Sequence, residues 1–212
     1  MLFRHIGHAE FSIETESGIR IVTDPYDASC GYPVEKIPAD IALVSHHHHD
    51  HDAVENLSGN PLVIDTTGSS NPAPGVKVTA VHGYHDRNGG KERGETLLFL
   101  VETEGLRIVH LGDLGDGLTA EQERILAGPD VLMIPVGGFF TIDGNQAAAI
   151  AEKLGARIIL PMHFKTEYNA QWPITGPETF LEHFREEEIC RGAEALRVTR
   201  EDLECHPRVF LM

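Results

Sequence analysis

Between Ser45 and Asp52 the chain reads His46-His47-His48-His49-Asp50-His51, six consecutive side chains that each carry a metal-ligating nitrogen or oxygen. Neutral imidazoles with a carboxylate form a borderline-hard donor set that suits Zn²⁺, Mn²⁺, Fe or Ni²⁺ better than Cu(I) or Ca²⁺. If the backbone is extended here, His46 and His48 project to the same side and can share one ion. Asp50 and His51, at the turn that follows, then offer a carboxylate and an imidazole to a second ion. By the same alternation His47 and His49 point away, and Asp52 is explained by its place as a helix cap. The run is internal, between a buried apolar strand and a helix start, which separates it from a purification tag or a solvated loop.

The elements around this run place it. Pro38-Ala39-Asp40-Ile41-Ala42-Leu43-Val44 reads as a short buried strand, so the histidines lie at a strand's carboxyl end, where α/β sites tend to sit. The chain also repeats itself. Glu14-Thr15-Glu16-Ser17-Gly18-Ile19-Arg20-Ile21-Val22 is close to Glu102-Thr103-Glu104-Gly105-Leu106-Arg107-Ile108-Val109, and each run soon reaches an acid, Asp24 or Asp113. Both read as β-hairpins, and each is followed by a short buried strand, Pro38 to Val44 and Pro129 to Pro135. One domain over residues 1–212, with a pseudo-repeat at about 9–75 and 95–165, is therefore expected. Capping boxes at Thr119 to Gln122 and Asp143 to Gln146 open helices, the second ending at Gly155. Asp52-Ala53-Val54-Glu55 is a third such start, and Pro177 opens a last helix through Phe180, Leu181, Phe184 and Ile189. Strand pairs covered by helices predict an α/β fold, a four-layer αββα sandwich built from two similar halves.

Composition narrows the classes. The chain has 212 residues, 41% hydrophobic and 24% charged, as soluble folded proteins do. No apolar run reaches the ~18 residues of a membrane span, and Met1-Leu2-Phe3-Arg4-His5 is too polar to open a signal peptide, so a cytoplasmic location is expected. Cys30, Cys190 and Cys205 are an odd number without a C-x-x-C pair, expected to be reduced and structural. A formal net charge of −16 disfavours nucleic acid as a partner and leaves a small molecule. Nothing decides between a monomer and a homo-oligomer.

The pattern His46-x-His48-x-Asp50-His51 resembles the signature of the metallo-β-lactamase superfamily. His5-Ile6-Gly7-His8-Ala9, Thr23-Asp24-Pro25, Tyr84-His85-Asp86, His110-Leu111-Gly112-Asp113 and Pro161-Met162-His163-Phe164 are similar to its small branch related to ascorbate-phosphate lactonases. The resemblance implies an αββα sandwich with two divalent ions, Zn²⁺ above all and Mn²⁺, Ni²⁺ or Fe as alternatives. It further implies that His46, His48 and His85 hold one ion, that Asp50, His51 and His163 hold the other, and that Asp113 bridges them. His85, Asp113 and His163 each end an apolar strand; His82 and His110 are the alternatives to His85. Asp24 is expected to be buried behind the ligands as a hydrogen-bond acceptor, and His8 to approach the pocket or to be structural. His183 and His206 read as surface residues.

Two ions ~3.5–4 Å apart lower the pKa of a shared water toward ~7. The expected chemistry is hydroxide attack on an ester, lactone or phosphoester of a small metabolite, with Asp50 orienting the nucleophile. A mononuclear iron oxidoreductase on the same scaffold and a non-catalytic metal-binding module are the alternatives. Two glycine-rich loops, Asp86 to Gly94 and Gly137 to Thr141, would shape substrate choice. Arg87, Lys91, Arg93 and Lys165 are read as solvated charges ahead of anion-binding ones.

Overall fold

Short runs of alternating apolar residues make strands the main element, and the computed structural model describes residues 1–201, 203 and 208–212. Cys205 and His206 lie outside the described residues. In the first half β1 (Leu2–Gly7), β2 (Glu10–Glu14) and β3 (Arg20–Thr23) form an antiparallel meander. Next come β4 (Ile37–Pro38), β5 (Ile41–Leu43), β6 (Leu57–Ser58) and β7 (Leu62–Ile64). Of these β5 and β7 extend the meander in parallel, and β4 pairs with β6 in a separate two-stranded sheet.

The second half opens on β8 (Gly68–Ala73), β9 (Val76–Tyr84), β10 (Glu95–Thr103) and β11 (Leu106–His110), all antiparallel neighbours. Helix α1 (Ala120–Leu126) leads to β12 (Val131–Pro135), and α2 (Gly144–Leu154) leads to β13 (Ile158–Met162), so that both strands join in parallel. The chain finishes with α3 (Glu178–Leu181), β14 (Ile189–Arg191), β15 (Leu196–Arg197) and β16 (Val209–Leu211). The result is a six-stranded sheet, β15-β1-β2-β3-β5-β7, facing an eight-stranded one, β14-β16-β13-β12-β11-β10-β9-β8.

Side-chain alternation assigns the faces. Phe99 and Val101 of β10 enter the core between the sheets with Phe3, Phe11, Ile13, Ile21, Ile41 and Leu43. Leu98 and Leu100, one residue out of step, face the opposite way and pack with Leu126 of α1 and with Ala147, Ile150, Ala151 and Leu154 of α2. Strand β12 is buried along its whole length because both its faces are covered. Each large apolar side chain so buried contributes roughly 1.5–3 kcal/mol.

The outer layers differ. On the eight-stranded sheet α1 and α2 start at Thr119 and Asp143 with both capping-box hydrogen bonds in place, and α2 ends at Gly155 in the left-handed conformation. On the six-stranded sheet Val22 and Ala42 are covered by Leu57 and Val54, from β6 and a single 3-10 turn at Val54–Asn56. The expected helix after Asp52 is this turn; its cap position is Ala53 and no side chain caps it. The last helix is likewise shorter than expected. It stops at Leu181, and Ile189 lies in a strand, because Glu186 to Glu188 form a 3-10 turn after Arg185 leaves the helical region at ψ 150. Cys30 and Cys190 are free thiols. No helix among the described residues is long and apolar enough to cross a membrane.

Candidate metal centre

Six strands finish close together, and a polar residue follows each within three positions of its end. His8 follows β1, Asp24 follows β3, and His85 follows β9, while Ser45-His46, Asp113 and His163 stand at or soon after the ends of β5, β11 and β13. Three of these break the strand with a positive φ rare for L-residues: His8 at 53°, Asp24 at 40° and His163 at 50°. Such a backbone costs on the order of 1–3 kcal/mol per residue and persists where the surroundings fix it. One restraint is visible, since the His163 N–H donates to the His8 carbonyl at 3.0 Å and ties β13 to β1.

The side chains gather in two adjoining groups. His46, His48 and His85 form one; His8, Asp50, His51 and His163 form the other; within each, the candidate donor atoms lie within 4.8 Å of one another. Asp113 reaches both. Its Oδ1 is 3.4 Å from His51 Nε2, and its Oδ2 is 3.4 Å from His85 Nε2 and 3.1 Å from His163 Nε2. Asp50 Oδ2 lies 3.3 Å from His8 Nε2 and 3.6 Å from His51 Nε2. Close as they are, many of these atoms make no aligned hydrogen bond: His46 Nε2, His51 Nε2, both nitrogens of His8 and Asp113 Oδ1 are buried and unpartnered. Buried polar atoms without partners are costly, so a cluster of them aimed at common points fits cations between them.

Behind the candidate donor atoms stands one fully buried carboxylate. Asp24 accepts the Ser45 N–H at 2.7 Å and the Ser45 hydroxyl at 2.8 Å, and His51 Nδ1 donates to it at 3.0 Å. With its proton on Asp24, the Ser45 oxygen is free to accept from His46 Nδ1 at 2.9 Å. Asp24 therefore fixes the Nδ1–H tautomer of His51 directly and of His46 through Ser45, leaving each Nε2 lone pair facing the centre.

Charge follows from the same packing. Burial, reinforced by the charge of neighbouring imidazoles, pushes His46 down to about 3 and His8 to about 4, and burial also lowers His85. These rings are neutral at pH 7, as ligands must be. Burial alone would raise Asp50 and Asp113. For Asp50 the adjacent His8 imidazole and the His51 charge outweigh it, and for Asp113 His163 and His51 do, so both stay well below the usual carboxylate range. Against its burial, His51 is raised by Asp113 and Asp24. Three buried carboxylates in one place call for cations.

The remaining histidines are engaged elsewhere. His110 Nδ1 accepts the Gly112 N–H at 3.1 Å, so its Nε2 donates to the Ala9 carbonyl at 3.1 Å. His82 Nε2 lies 3.1 Å from Glu95, and His183 Nε2 2.8 Å from Asn145 Oδ1. His47 is exposed near Asp52 and Asp65, and His49 is exposed beside Ser29 and Asp27. The segment is not extended. Bends and a turn closed by His51 N–H to His48 O at 2.8 Å carry it, and His48 is exposed like its two neighbours, so simple alternation does not describe it.

A cavity of about 600 Å³ opens on the centre, lined among others by His48, Asp50, His85, Asp113, His163, Arg93, Phe140 and Trp172. Of the four cations weighed from the sequence, Arg93 alone lines it; Arg87 is bonded to Gln146 of α2. Sequence reasoning gave Ser45 no role and passed over Trp172. The signal for Ser45 was its place between the strand and His46; for Trp172 it was being the only tryptophan in the chain.

Two facing sheets with a histidine and aspartate centre at their strand ends define a metallo-β-lactamase fold, and comparison with known proteins gives the family. Residues 3–163 match the model of the "Beta-lactamase superfamily domain", and the chain belongs to that superfamily. A UPF0173 metal-dependent hydrolase of Thermococcus onnurineus is 32% identical over 209 residues, 84% of this chain and 89% of that one. One of Methanosphaera stadtmanae is 30% identical over 78% of this chain and 85% of its own. Among solved structures, a candidate Zn-dependent hydrolase of the superfamily from Thermotoga maritima has a TM-score of 0.79 and 34% identity, covering 100% of this chain and 97% of its own.

Proposed function

We propose that the protein is a metal-dependent hydrolase that opens an ester, lactone or phosphoester bond in a small molecule. The observation that carries this reading is the pair of adjoining donor groups whose buried nitrogens and oxygens lack partners and share Asp113. The names of the relatives, metal-dependent and Zn-dependent hydrolases, support it. In the reading, His46, His48 and His85 hold one divalent ion, and Asp50, His51 and His163 hold a second, with His8 packed beside them. Asp113 joins the two sets. The donors are imidazoles and carboxylates with no thiolate, which favours Zn²⁺, with Mn²⁺, Fe or Ni²⁺ as alternatives. Such ions, when bound, supply Lewis acidity and lower the pKa of water at neutral pH.

The chain's own residues do the rest. Asp50 stays ionised and lines the cavity, so it accepts a hydrogen bond from the attacking water and orients it. Asp24 and Ser45 hold two imidazoles in one tautomer through the reaction. The cavity volume admits a metabolite-sized guest.

The test is metal quantification on protein purified without chelator, followed by a panel of ester, lactone and phosphodiester substrates with the metal found. Two equivalents of metal and chelator-sensitive turnover are expected. Absence of bound metal, or turnover that survives both metal removal and Asp50→Ala, would overturn the reading.

A further inference from the structure

The cavity has a second chemistry that metal ligation leaves unused. The Arg93 guanidinium lies 5.6 Å from the ring centre of Phe140 and 5.8 Å from that of Phe139, within cation–π range. Phe140 meets Trp172 edge-on at 6.0 Å, and Trp172 meets His8 at 5.1 Å and His163 at 6.3 Å. A continuous aromatic wall thus runs from the guanidinium to the imidazoles of the centre.

Arg93 is held in place by a loop that closes on itself. The His85 N–H donates to the Gly94 carbonyl at 3.1 Å, and the Gly94 N–H to the Gly90 carbonyl at 3.0 Å. Inside the loop the buried Asp86 carboxylate accepts four backbone N–H groups, those of Asn88 at 2.7 Å, Gly90 at 3.0 Å, Glu92 at 2.9 Å and Arg93 at 2.9 Å. These bonds, that of Arg93 first, hold the Asp86 carboxyl down to about 2. The same loop begins at His85, so the guanidinium is indexed to a residue of the metal centre. Glu92, its neighbour in the chain, is its ion-pair partner among the described residues, at 4.0 Å, the outer limit of such a pair.

Phe139 adds an independent sign that this rim is built for a guest. It has a φ of 58° and is 61% exposed, a strained backbone that holds a large apolar ring in water. Strain of this kind gathers at ligand clamps.

We propose that Arg93 selects the substrate by binding an oxyanion, carboxylate or phosphate-like, at the non-reacting end of a molecule whose planar or apolar body lies against Phe140 and Trp172. The planar fork of a guanidinium suits either anion, and against a formal net charge of −16 a fixed cation on the cavity wall gives an anionic group a place to bind away from the reacting centre. The assignment rests on the hydrolytic reading for its setting, yet binding tests it without turnover.

Trp172 is the only tryptophan, so its fluorescence reports on this wall alone. Metal-loaded protein is titrated with benzoate, phenylphosphonate and neutral benzyl alcohol. Saturable binding of at least one anion is expected. Arg93→Met should weaken it about tenfold, equivalent to about 1.4 kcal/mol, and collapse the preference over benzyl alcohol. Arg93→Lys should fall between, and Arg87→Met should bind as wild type does. The tighter of the two anions identifies carboxylate or phosphate chemistry. Equal anion binding by wild type and Arg93→Met would show that the metals alone hold the anion and would overturn the proposal. Equal weakening of benzyl alcohol, or no saturable anion binding at all, would overturn it too. Should Arg93→Met not fold, Arg93→Gln makes the same comparison. Anion binding that depends on Arg93, in a protein whose turnover survives both metal removal and Asp50→Ala, would remove the metal-dependent hydrolytic reading and keep this one.

Discussion

Asp24 and Asp113 stand at matching places in the two halves, each soon after a β-hairpin, β2–β3 in one case and β10–β11 in the other, and each at the edge of a parallel strand. Their surroundings give them opposite work. Asp24 faces N–H and O–H donors, and both of its oxygens are used: Oδ1 by the Ser45 N–H, Oδ2 by the Ser45 hydroxyl and His51 Nδ1. Asp113 faces the Nε2 edges of three imidazoles, and its Oδ1 is left without a hydrogen bond. His51 stands between them, turning Nδ1 to one carboxylate and Nε2 to the other. In the proposed reading, what separates a positioning acid from a ligating one is which edge of this imidazole it meets.

The sharpest way to break the comparison is to remove the acid that joins the two groups. Asp113→Ala should lower kcat/KM on any substrate found by at least about a thousandfold, about 4 kcal/mol, and reduce bound metal below two equivalents by elemental analysis. Normal metal content in Asp113→Ala would show that Asp113 is no more a ligand than Asp24.

Asp24→Asn comes next. It keeps the size and removes the charge that fixes two tautomers, and losing such a partner weakens metal binding by roughly 10–100-fold. A chelator-competition titration should show both groups weakened, because Asp24 reaches His51 directly and His46 through Ser45. Weakening of one group only would break the relay.

Much of this was legible in the sequence. The hairpins, the buried strands and two of the helices announced themselves through alternation and capping boxes, since these signals are local. The candidate ligands were legible because histidines and acids cluster at strand ends. The local signals also misled. Asp52 looked like a cap, yet its carboxylate lies 3.3 Å from His47 Nδ1, and Phe180 to Ile189 had helical spacing although the helix stops at Leu181. What no local pattern carries is contact between distant segments: Trp172 against His8, Arg93 over Phe140, and His163 bonded to His8.

Gly112 sharpens the comparison from the backbone side. It precedes Asp113 with a φ of 47°, and a Cβ there would lie 2.6 Å from Thr96 Oγ1, 2.7 Å from the Leu97 carbonyl and 2.8 Å from Ser45 Cβ. Thr96 Oγ1 is also the acceptor for the Asp113 N–H at 3.2 Å. Gly112→Ala should therefore cost about 2 kcal/mol in denaturant unfolding and shift Asp113 off its three imidazoles. An unaltered midpoint would mean that the turn is not what aims this carboxylate.

The smallest effect is the most discriminating. Ser45→Ala removes the hydroxyl between Asp24 and His46 but leaves the Ser45 backbone N–H on Asp24 Oδ1 and His51 Nδ1 on Asp24 Oδ2. His46 loses the acceptor that selects its tautomer, and one such hydrogen bond is worth about 1 kcal/mol, or roughly fivefold in affinity. The loss should fall on the His46, His48 and His85 group alone, so a titration with two resolved metal-binding steps should show one step weakened and the other fixed. Equal weakening of both steps would mean that Ser45 acts by holding Asp24 rather than by passing its orientation to His46. Weakening of the Asp50, His51 and His163 step alone would make Asp24 the partner of that group only, and the contrast with Asp113, which lies against imidazoles of both, would become absolute.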